Sequence, residues 1–228
     1  MTPRALLGIA ADVLFPPRCL LCDEVLGFLP ECPACRGALA RLSRGHAPGI
    51  TCAPPALDGA FAAFWYEDGV REAVHRMKYQ DRPDLARLFA AHMAAALPEG
   101  LGADGVIPVP SARKRLAQRG YDVPLLLARH LARAAGMPLC TGLLQKVRET
   151  PPQAQLSGEE RRRNLKGAFR AHTPGAVRGR AFLLADDVFT TGSTMEECAR
   201  ALKKAGAVRV YALTAAVTRF GKRTEMLI

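Results

Sequence analysis

Apolar residues follow two patterns in the part of the chain after about residue 55. Four short apolar runs predict strands, namely Phe61–Tyr66, Gly105–Val109, Ala181–Ala185 and Val208–Val217. Between them, apolar residues recur every three or four positions and predict amphipathic helices around Val70–Met77, Leu85–Met93, Leu125–Ala135 and Met195–Leu202. Strands that alternate with helices of this length indicate a parallel sheet with right-handed crossovers.

Two further segments depart from this alternation. Residues 145–166 lack periodicity and contain many Pro, Gln and Arg residues, which predicts a loop with at most one helical turn. Before residue 55 the chain is irregular, rich in Pro and Gly, and ends in the breaker-rich segment 45–55. We therefore expect a Cys-rich head over residues 1–55 and an α/β domain over residues 56–228. Asp122, two positions before Pro124, is expected to cap the helix that follows it.

The bulk composition is that of an ordinary globular protein, with 49% hydrophobic residues and a mean hydropathy of +0.02. No uncharged apolar run approaches the roughly 20 residues of a membrane span. The N-terminus has an early Arg4, but Asp12 interrupts the apolar stretch that follows, so we expect no signal peptide and a cytoplasmic location.

The net charge of +11 is unevenly distributed. Residues 104–135 hold six Lys or Arg and two acids (+4), and residues 146–180 hold nine and three (+6). Such clustering suits a polyanion, either a phosphorylated small molecule or nucleic acid. Either stretch taken alone is equally well explained as a solvated basic face, as is the run Arg161–Arg163.

Two acids and a hydroxyl-rich loop follow the strand Ala181–Ala185. Ligands of open α/β sheets bind at the carboxyl ends of the strands, and a helix N-terminus offers unpaired N–H groups to a phosphate. We expect the phosphate to contact Thr190, Thr191, Gly192, Ser193 and Thr194, with Gly192 allowing close approach of the backbone. Asp186 and Asp187 would accept hydrogen bonds from hydroxyl groups or help to hold a cation. A ribose carrying a 5-phosphate satisfies both halves of this site.

Other interpretations of the same loop explain less of it. The loop has no lysine, so it is not a Walker A motif. Asp187 capping a turn and hydroxyls capping the helix would explain one or two of these residues, but not their whole succession. A phospho-acceptor aspartate of the receiver type does not account for Thr-Thr-Gly.

The segment Leu183–Thr194, LLADDVFTTGST, resembles the PRPP-binding signature of type I phosphoribosyltransferases. The resemblance implies that family's fold, a parallel sheet flanked by helices, and PRPP with Mg²⁺ as the ligand. It also implies a pyrophosphate loop after an earlier strand, for which the strand Val106–Pro110 is our candidate. The residues concerned are Ser111, Ala112, Arg113, Lys114 and Arg119. A flexible loop closes over PRPP in this superfamily, and residues 146–166 are our candidate for it.

Further blocks are similar to the ComF branch, the competence-associated phosphoribosyltransferase-like proteins. These blocks are Met77-Lys-Tyr79, Pro108-Val-Pro110 with the basic residues after it, Arg119-Gly-Tyr-Asp122, and Thr150-Pro-Pro-Gln153 with Gly167-Ala-Phe169. That branch usually has Asn where Asp122 stands and Phe where Tyr121 stands. The substitution at residue 122 leaves any ligand role of that position open.

Four of the seven cysteines form two Cys-x2-Cys pairs, Cys19 with Cys22 and Cys32 with Cys35. Two such knuckles supply the four thiolates of a tetrahedral structural zinc site. A redox pair is the rival interpretation, but it requires only one Cys-x-x-Cys. Cys52 with His46 could be the remnant of a second site, although a surface loop explains them as well. The resemblance agrees with a zinc-ribbon-like head.

Two functional hypotheses follow from these features. The first is a PRPP or nucleotide 5-phosphate binding protein which, if catalytic, transfers the phosphoribosyl group to an acceptor that the sequence does not identify. The second is a non-catalytic factor that binds single-stranded DNA during uptake, together with the competence machinery, and retains the PRPP site. Only Tyr121 and Phe169 are available for base stacking within the two basic stretches, which weakens the second hypothesis.

Overall fold

Four parallel strands form the central sheet in the computed structural model, which describes residues 16, 18–19, 21–26, 32–43, 50, 53–148 and 163–219. The strands are β1 (Gly59–Trp65), β2 (Val106–Pro108), β5 (Ala181–Phe189) and β6 (Arg209–Val217). Their spatial order is β1-β6-β5-β2. A shorter antiparallel pair, β3 (Leu144–Lys146) and β4 (Phe169–Ala171), lies apart from this sheet. The predicted parallel α/β architecture is thus confirmed.

Seven helices have both ends within the described residues. They are α1 (Pro33–Leu42), α2 (Asp68–Tyr79), α3 (Leu85–Ala95), α4 (Arg113–Arg119), α5 (Val123–Ala134), α6 (Pro174–Val177) and α7 (Ser193–Lys204). Apolar residues of α2, α3 and α5 pack on one face of the sheet, and those of α7 pack on the other. None of these helices is long and apolar enough to cross a membrane.

The strand β5 supplies both hydrophobic cores because its side chains alternate between the faces of the sheet. Leu183 belongs to the α2–α3–α5 side, whereas Phe182 and Leu184 belong to the α7 side. Phe64, Phe89 and Phe182 are fully buried. Full burial of a side chain of this size contributes about 1.5–3 kcal/mol, so these aromatic residues help to fix the sheet against its helices.

The strand β5 is longer than the sequence predicts. It continues through Asp186 and Asp187 to Phe189, because β6 pairs with it as far as Phe189 opposite Val217. The expectation that the strand ends at Ala185 was therefore wrong. The two acids lie inside the last part of the strand, where the backbone pairing fixes their positions.

Three other local predictions need correction. Asp122 occupies the N-cap position of α5, but its side chain does not cap the helix. The basic residues after Pro110 form the helix α4, where the sequence predicts a loop. Part of the predicted loop 145–166 pairs as β3 with β4, and Val147 N–H donates to the Ala168 carbonyl across its base (2.8 Å). Residues 149–162 lie outside the described part of the chain, as do His46 and Cys52.

The Cys-rich head contacts the α/β domain directly. Leu42, at the end of α1, belongs to the same hydrophobic cluster as Phe64 and Val70. Ser43 forms an isolated antiparallel bridge with Phe64 at the outer edge of β1. The domain boundary at residue 55 stays a prediction.

Candidate functional site

A cavity of about 570 Å³ opens at the carboxyl edge of the sheet. The strand β5 contributes acidic side chains, α4 contributes basic ones, and the β3–β4 pair closes one side. Its lining includes Lys78, Tyr79, Ser111, Ala112, Lys114, Arg115, Leu116, Gln118, Arg119, Tyr121, Lys146, Phe169, Asp186, Asp187, Thr190 and Thr194. The volume lies within the range of small-molecule sites.

Asp187 is ion-paired with Lys78 in this cavity. Lys78 Nζ lies 2.6 Å from Asp187 Oδ1, and both side chains are largely shielded from solvent. Burial alone would lower the pKa of Lys78, but the attraction of Asp187, with a smaller part from Asp186, outweighs it and raises that pKa. The ammonium group is therefore a fixed positive charge at the acid pair.

Asp186 has a different environment from its neighbour. Its Oδ1 accepts a hydrogen bond from the backbone N–H of Asp187 (2.8 Å). Burial and the adjacent charge of Asp187 raise the pKa of Asp186 to about 8, although Lys78 partly opposes the shift. Two carboxylates that line one cavity and repel each other favour the uptake of a proton, a cation or hydroxyl donors.

Two of the four hydroxyl residues of the phosphate loop line the cavity. Thr190 and Thr194 line the cavity, whereas the hydroxyls of Thr191 and Ser193 are hydrogen-bonded to each other (2.8 Å). The N-cap residue Gly192 offers no side chain to α7, and the N–H of Ser193 makes only a long contact with Thr191 Oγ1 (3.5 Å). The first N–H groups of this helix have no intrahelical partner, so they are available to an anion in the cavity.

Gly192 is required by backbone geometry and packing. Its φ is +72°, in the left-handed region that L side chains rarely adopt. A Cβ built there would lie 2.6 Å from Cζ of Phe189 and 2.7 Å from Cγ of Pro54. The absent side chain therefore makes room for protein atoms, and the tight turn aims the start of α7 at the cavity.

Most of the predicted pyrophosphate residues lie on the opposite wall. Ser111, Ala112, Lys114 and Arg119 line the cavity, while Arg113 of the same segment lies outside its lining. Ser111 Oγ donates to Asp122 Oδ1 (2.8 Å). This bond gives Asp122 a structural role, because it ties the segment after β2 to the start of α5.

Several lining residues were not assigned a role by the sequence. Lys78 was noted only as part of a resemblance, and nothing in its local pattern indicates an ion pair with Asp187. Tyr121 fixes the same region, since its hydroxyl donates to the Met77 carbonyl (2.8 Å). Tyr79 is 66% exposed, and the guanidinium carbon of Arg119 lies 5.3 Å from its ring centroid.

The four paired cysteines converge in the head. The Sγ atoms of Cys19, Cys22, Cys32 and Cys35 all lie within 4.8 Å of one another. Cys22 Sγ and Cys32 Sγ are 3.9 Å apart, close to the roughly 3.8 Å expected between sulfurs bound at about 2.3 Å to one tetrahedral ion. The cluster could therefore bind a metal ion.

The cysteines of the cluster differ in their electrostatic environment. Burial disfavours the thiolate of Cys19, but hydrogen bonds from the backbone of Cys22 and Leu21 outweigh it and lower its pKa. Burial and the neighbouring sulfurs raise the pKa of Cys35. A cation among the four sulfurs would stabilise all of them as thiolates.

Comparisons with known proteins identify the family of this chain. Residues 124–224, which include β5 and the start of α7, match the phosphoribosyl transferase domain family. DNA utilization protein YhgH of Salmonella typhi is 32% identical over 193 residues, covering 78% of this chain and 80% of that protein. Competence protein F of Haemophilus influenzae is 28% identical over 207 residues, covering 87% and 90%. The chain belongs to the ComF family.

More distant relatives extend the comparison. Competence protein ComFC of Bacillus subtilis is 23% identical over 147 residues, covering 64% of this ComF-family chain and 58% of ComFC. Among solved structures, glutamine phosphoribosylpyrophosphate amidotransferase from B. subtilis has a TM-score of 0.40 at 21% identity. That match covers 59% of this chain and 26% of the amidotransferase chain.

Proposed function

We propose that this ComF-family protein binds PRPP with Mg²⁺, or a nucleotide 5-phosphate, in the cavity at the carboxyl edge of the sheet. The observation that carries the proposal is the convergence of three kinds of group on one cavity. These are the acids of β5, the N-terminus of α7 and the cationic side chains of α4. A ribose with phosphates at both ends requires these three environments together.

Each part of the ligand would face side chains or N–H groups of suitable chemistry. The ribose hydroxyls would donate to Asp186 and Asp187, and the 5-phosphate would accept N–H groups at the start of α7. The pyrophosphate would face Lys114, Arg119 and the segment at Ser111. Mg²⁺ would supply positive charge between the phosphate oxygens, and carboxylates are among its usual ligands.

We further propose that the protein is a phosphoribosyltransferase. In that reaction the acceptor forms a bond to C1 of the ribose while the bond from C1 to the pyrophosphate oxygen breaks, and pyrophosphate leaves with the electron pair. No side-chain nucleophile is required, so catalysis would rest on positioning and on charge stabilisation of the leaving group. Lys114, Arg119 and Lys78 are the cations placed for that stabilisation.

Calorimetric titration with Mg²⁺-PRPP tests the binding proposal. We expect Asp187→Asn to weaken binding by about 10-fold to 100-fold, because a hydrogen bond to a charged group is worth about 1.5–3 kcal/mol. Asp58→Asn is a matched control, since Asp58 interacts with Lys203 and Val210 at the other end of the sheet. No binding by the wild type, or equal binding by Asp187→Asn, would contradict the proposal.

A second candidate function is binding of single-stranded DNA beside the same cavity. The helix α4 has no buried residue, so its four basic side chains are presented on the surface. Tyr79 adds an exposed aromatic ring next to Arg119, which the sequence hypothesis did not consider. Stacking on such a ring combined with phosphate contacts is how sequence-independent single-strand binders work. The relatives' names, which refer to competence and to DNA utilization, favour a link to DNA uptake.

Fluorescence anisotropy with a labelled oligothymidine tests this second candidate. The affinity should fall steeply with salt, and Tyr79→Ala should weaken it by about 5-fold to 100-fold, as loss of one stacked base predicts. Arg133→Gln, in α5, changes a basic residue away from this cavity and should have little effect. Affinity that is unchanged by Tyr79→Ala would exclude the proposed stacking position.

We also propose that the ion in the four-cysteine cluster is Zn²⁺ in a structural role. A site with four thiolates and no open position is typical of structural zinc. Metal analysis of the purified chain should give one equivalent of zinc, and Cys32→Ser should lose most of it. Less than half an equivalent in the wild type would count against this assignment.

A further inference from the structure

The helix α2 connects the two sites described above. Within its last turn, Arg76 contacts the cysteine head and Lys78 contacts the acid pair of β5. Residues two positions apart project from different sides of a helix. Both ends of this connection are therefore fixed to one rigid element.

The contact of Arg76 with the head is specific to the first Cys knuckle. One guanidinium nitrogen donates to the Leu21 carbonyl, and the other is ion-paired with Asp23. Leu21 and Asp23 flank Cys22 directly. The turn that carries them is closed by hydrogen bonds between Cys19 and Glu24 and between Asp23 and Cys19 (2.8 and 2.9 Å).

Because Arg76 is buried, the loss of its contact with the head would be energetically costly. Arg76 is only 8% exposed, although it carries a permanent charge. A buried charge that loses its partners is strongly destabilising, so the end of α2 would have to move if the knuckle opened. The only carboxylate within salt-bridge distance of Arg76 among the described residues is Asp23.

At the other end of the connection, Lys78 is held 2.6 Å from Asp187. A displacement of the last turn of α2 would withdraw this ammonium group from the cavity. The remaining acid pair would then repel the phosphates of an incoming ligand more strongly. Lys78 is consequently the group through which a change in the head reaches the cavity.

We infer that Arg76 is a positioning residue through which metal bound to the four cysteines increases the affinity of the cavity for a phosphoribosyl ligand. This inference rests on the proposed binding of Mg²⁺-PRPP. Metal loading closes the Cys19–Cys22 knuckle, the knuckle holds Arg76, and α2 then keeps Lys78 at Asp187. Because such coupling is reciprocal, the ligand must also slow the loss of the metal.

The test measures both directions of the coupling on the full chain. The affinity for Mg²⁺-PRPP is determined by calorimetry for zinc-loaded protein and for protein stripped with a chelator and then desalted. Separately, zinc release to a chromogenic chelator is timed with and without saturating Mg²⁺-PRPP. In the wild type we expect zinc to tighten ligand binding at least 5-fold, and the ligand to slow zinc release by a similar factor.

Two variants assign the coupling to Arg76. Arg76→Gln removes the buried charge. Asp23→Asn removes its carboxylate partner, which Arg82 also contacts (2.7 Å), while retaining a residue that tolerates the φ of +61° found there. Asp23 is half exposed, so this second variant keeps the test valid if Arg76→Gln does not fold. Both should retain one equivalent of zinc and lose most of the coupling in both directions. Arg71→Gln, on the exposed side of α2, should behave as the wild type.

The possible failures are distinguishable. A wild type that binds no Mg²⁺-PRPP contradicts the proposed function, and the inference falls with it. Equal affinity of zinc-loaded and zinc-stripped wild type overturns the inference alone. Coupling that persists in Asp23→Asn and Arg76→Gln also overturns it, because the connection would then run through general folding of the head.

Discussion

Asp186 is expected to reduce the stability of the folded protein at neutral and alkaline pH. It is followed by Asp187 in β5, and its pKa is raised to about 8 by burial and by the charge of this neighbour. Asp186→Asn removes the charge but keeps an oxygen that can accept the N–H of Asp187. We therefore expect the variant to be more stable than the wild type while it loses affinity for the ligand.

The direction of this stability change follows from proton binding in the folded and unfolded states. An acid with a raised pKa binds its proton more tightly when folded, so its contribution favours the folded state at low pH. That contribution is lost as the pH rises from about 4, the ordinary value, to about 8. Asparagine does not titrate, so the advantage of Asp186→Asn must grow over the same interval.

The pKa shift of Asp186 sets an upper bound on the difference in the free energy of unfolding. At about 1.4 kcal/mol per pKa unit, a displacement to about 8 corresponds to at most about 5 kcal/mol at pH 8. The pKa of about 8 already includes the opposing effect of Lys78, so we expect most of this difference to be present at pH 8. Between pH 6.5 and pH 8 the difference between variant and wild type should widen by about 1 kcal/mol per pH unit.

Urea denaturation followed by circular dichroism measures this difference. The free energy of unfolding is compared at pH 6.5, 7.2 and 8 for wild type and variant, with zinc retained in both. Asp58→Asn is a control for which we expect the opposite change in stability. Burial alone would raise the pKa of Asp58, but hydrogen bonds from Val210 and Lys203 outweigh burial and lower it. That variant should be less stable than the wild type throughout this range. An Asp186→Asn variant no more stable than wild type at pH 8 would refute the argument.

Three further predictions concern single positions. Gly192→Ala should lower the free energy of unfolding, measured in urea, by about 2–4 kcal/mol, because the residue has a positive φ and its Cβ would lie 2.6 Å from Phe189. Gly175→Ala is the control and should be neutral, because no atom lies within 4 Å of a Cβ built there. Ser111→Ala should cost about 1 kcal/mol through loss of its hydrogen bond to Asp122, which a double-mutant cycle with Asp122→Ala would isolate. Removal of zinc by a chelator should lower the midpoint of thermal unfolding, and an unchanged midpoint would argue against a structural metal.

Much of the candidate site could be predicted from the chain because its residues are close together in sequence. The acids, the Thr-Thr-Gly turn and the start of α7 lie within Asp186–Thr194, so an apolar strand followed by this order of side chains was sufficient. The same is true of each Cys-x2-Cys pair. The helices α2, α3, α5 and α7 were also predictable, since their buried positions repeat with the helical period.

The missed elements share a physical cause. The helix α4 has no buried residue and hence no apolar periodicity to reveal it. The strands β3 and β4 have three residues each, and their pairing places Lys146 opposite Phe169, which is distant in the sequence. The extension of β5 through the acids depends on pairing with β6, which lies farther along the chain. These features depend on partners that a local pattern does not contain.

The sequence by itself therefore determined the chemistry available to this protein: an acid pair before a phosphate loop, two cysteine knuckles, and concentrated positive charge. Only the tertiary structure decided which of these groups meet. Lys78 reaches Asp187 across 109 positions, and Arg76 reaches Asp23 across 53. Both contacts exist because α2 packs between the head and the sheet, where the burial of Lys78, Asp187 and Arg76 makes the loss of their partners costly.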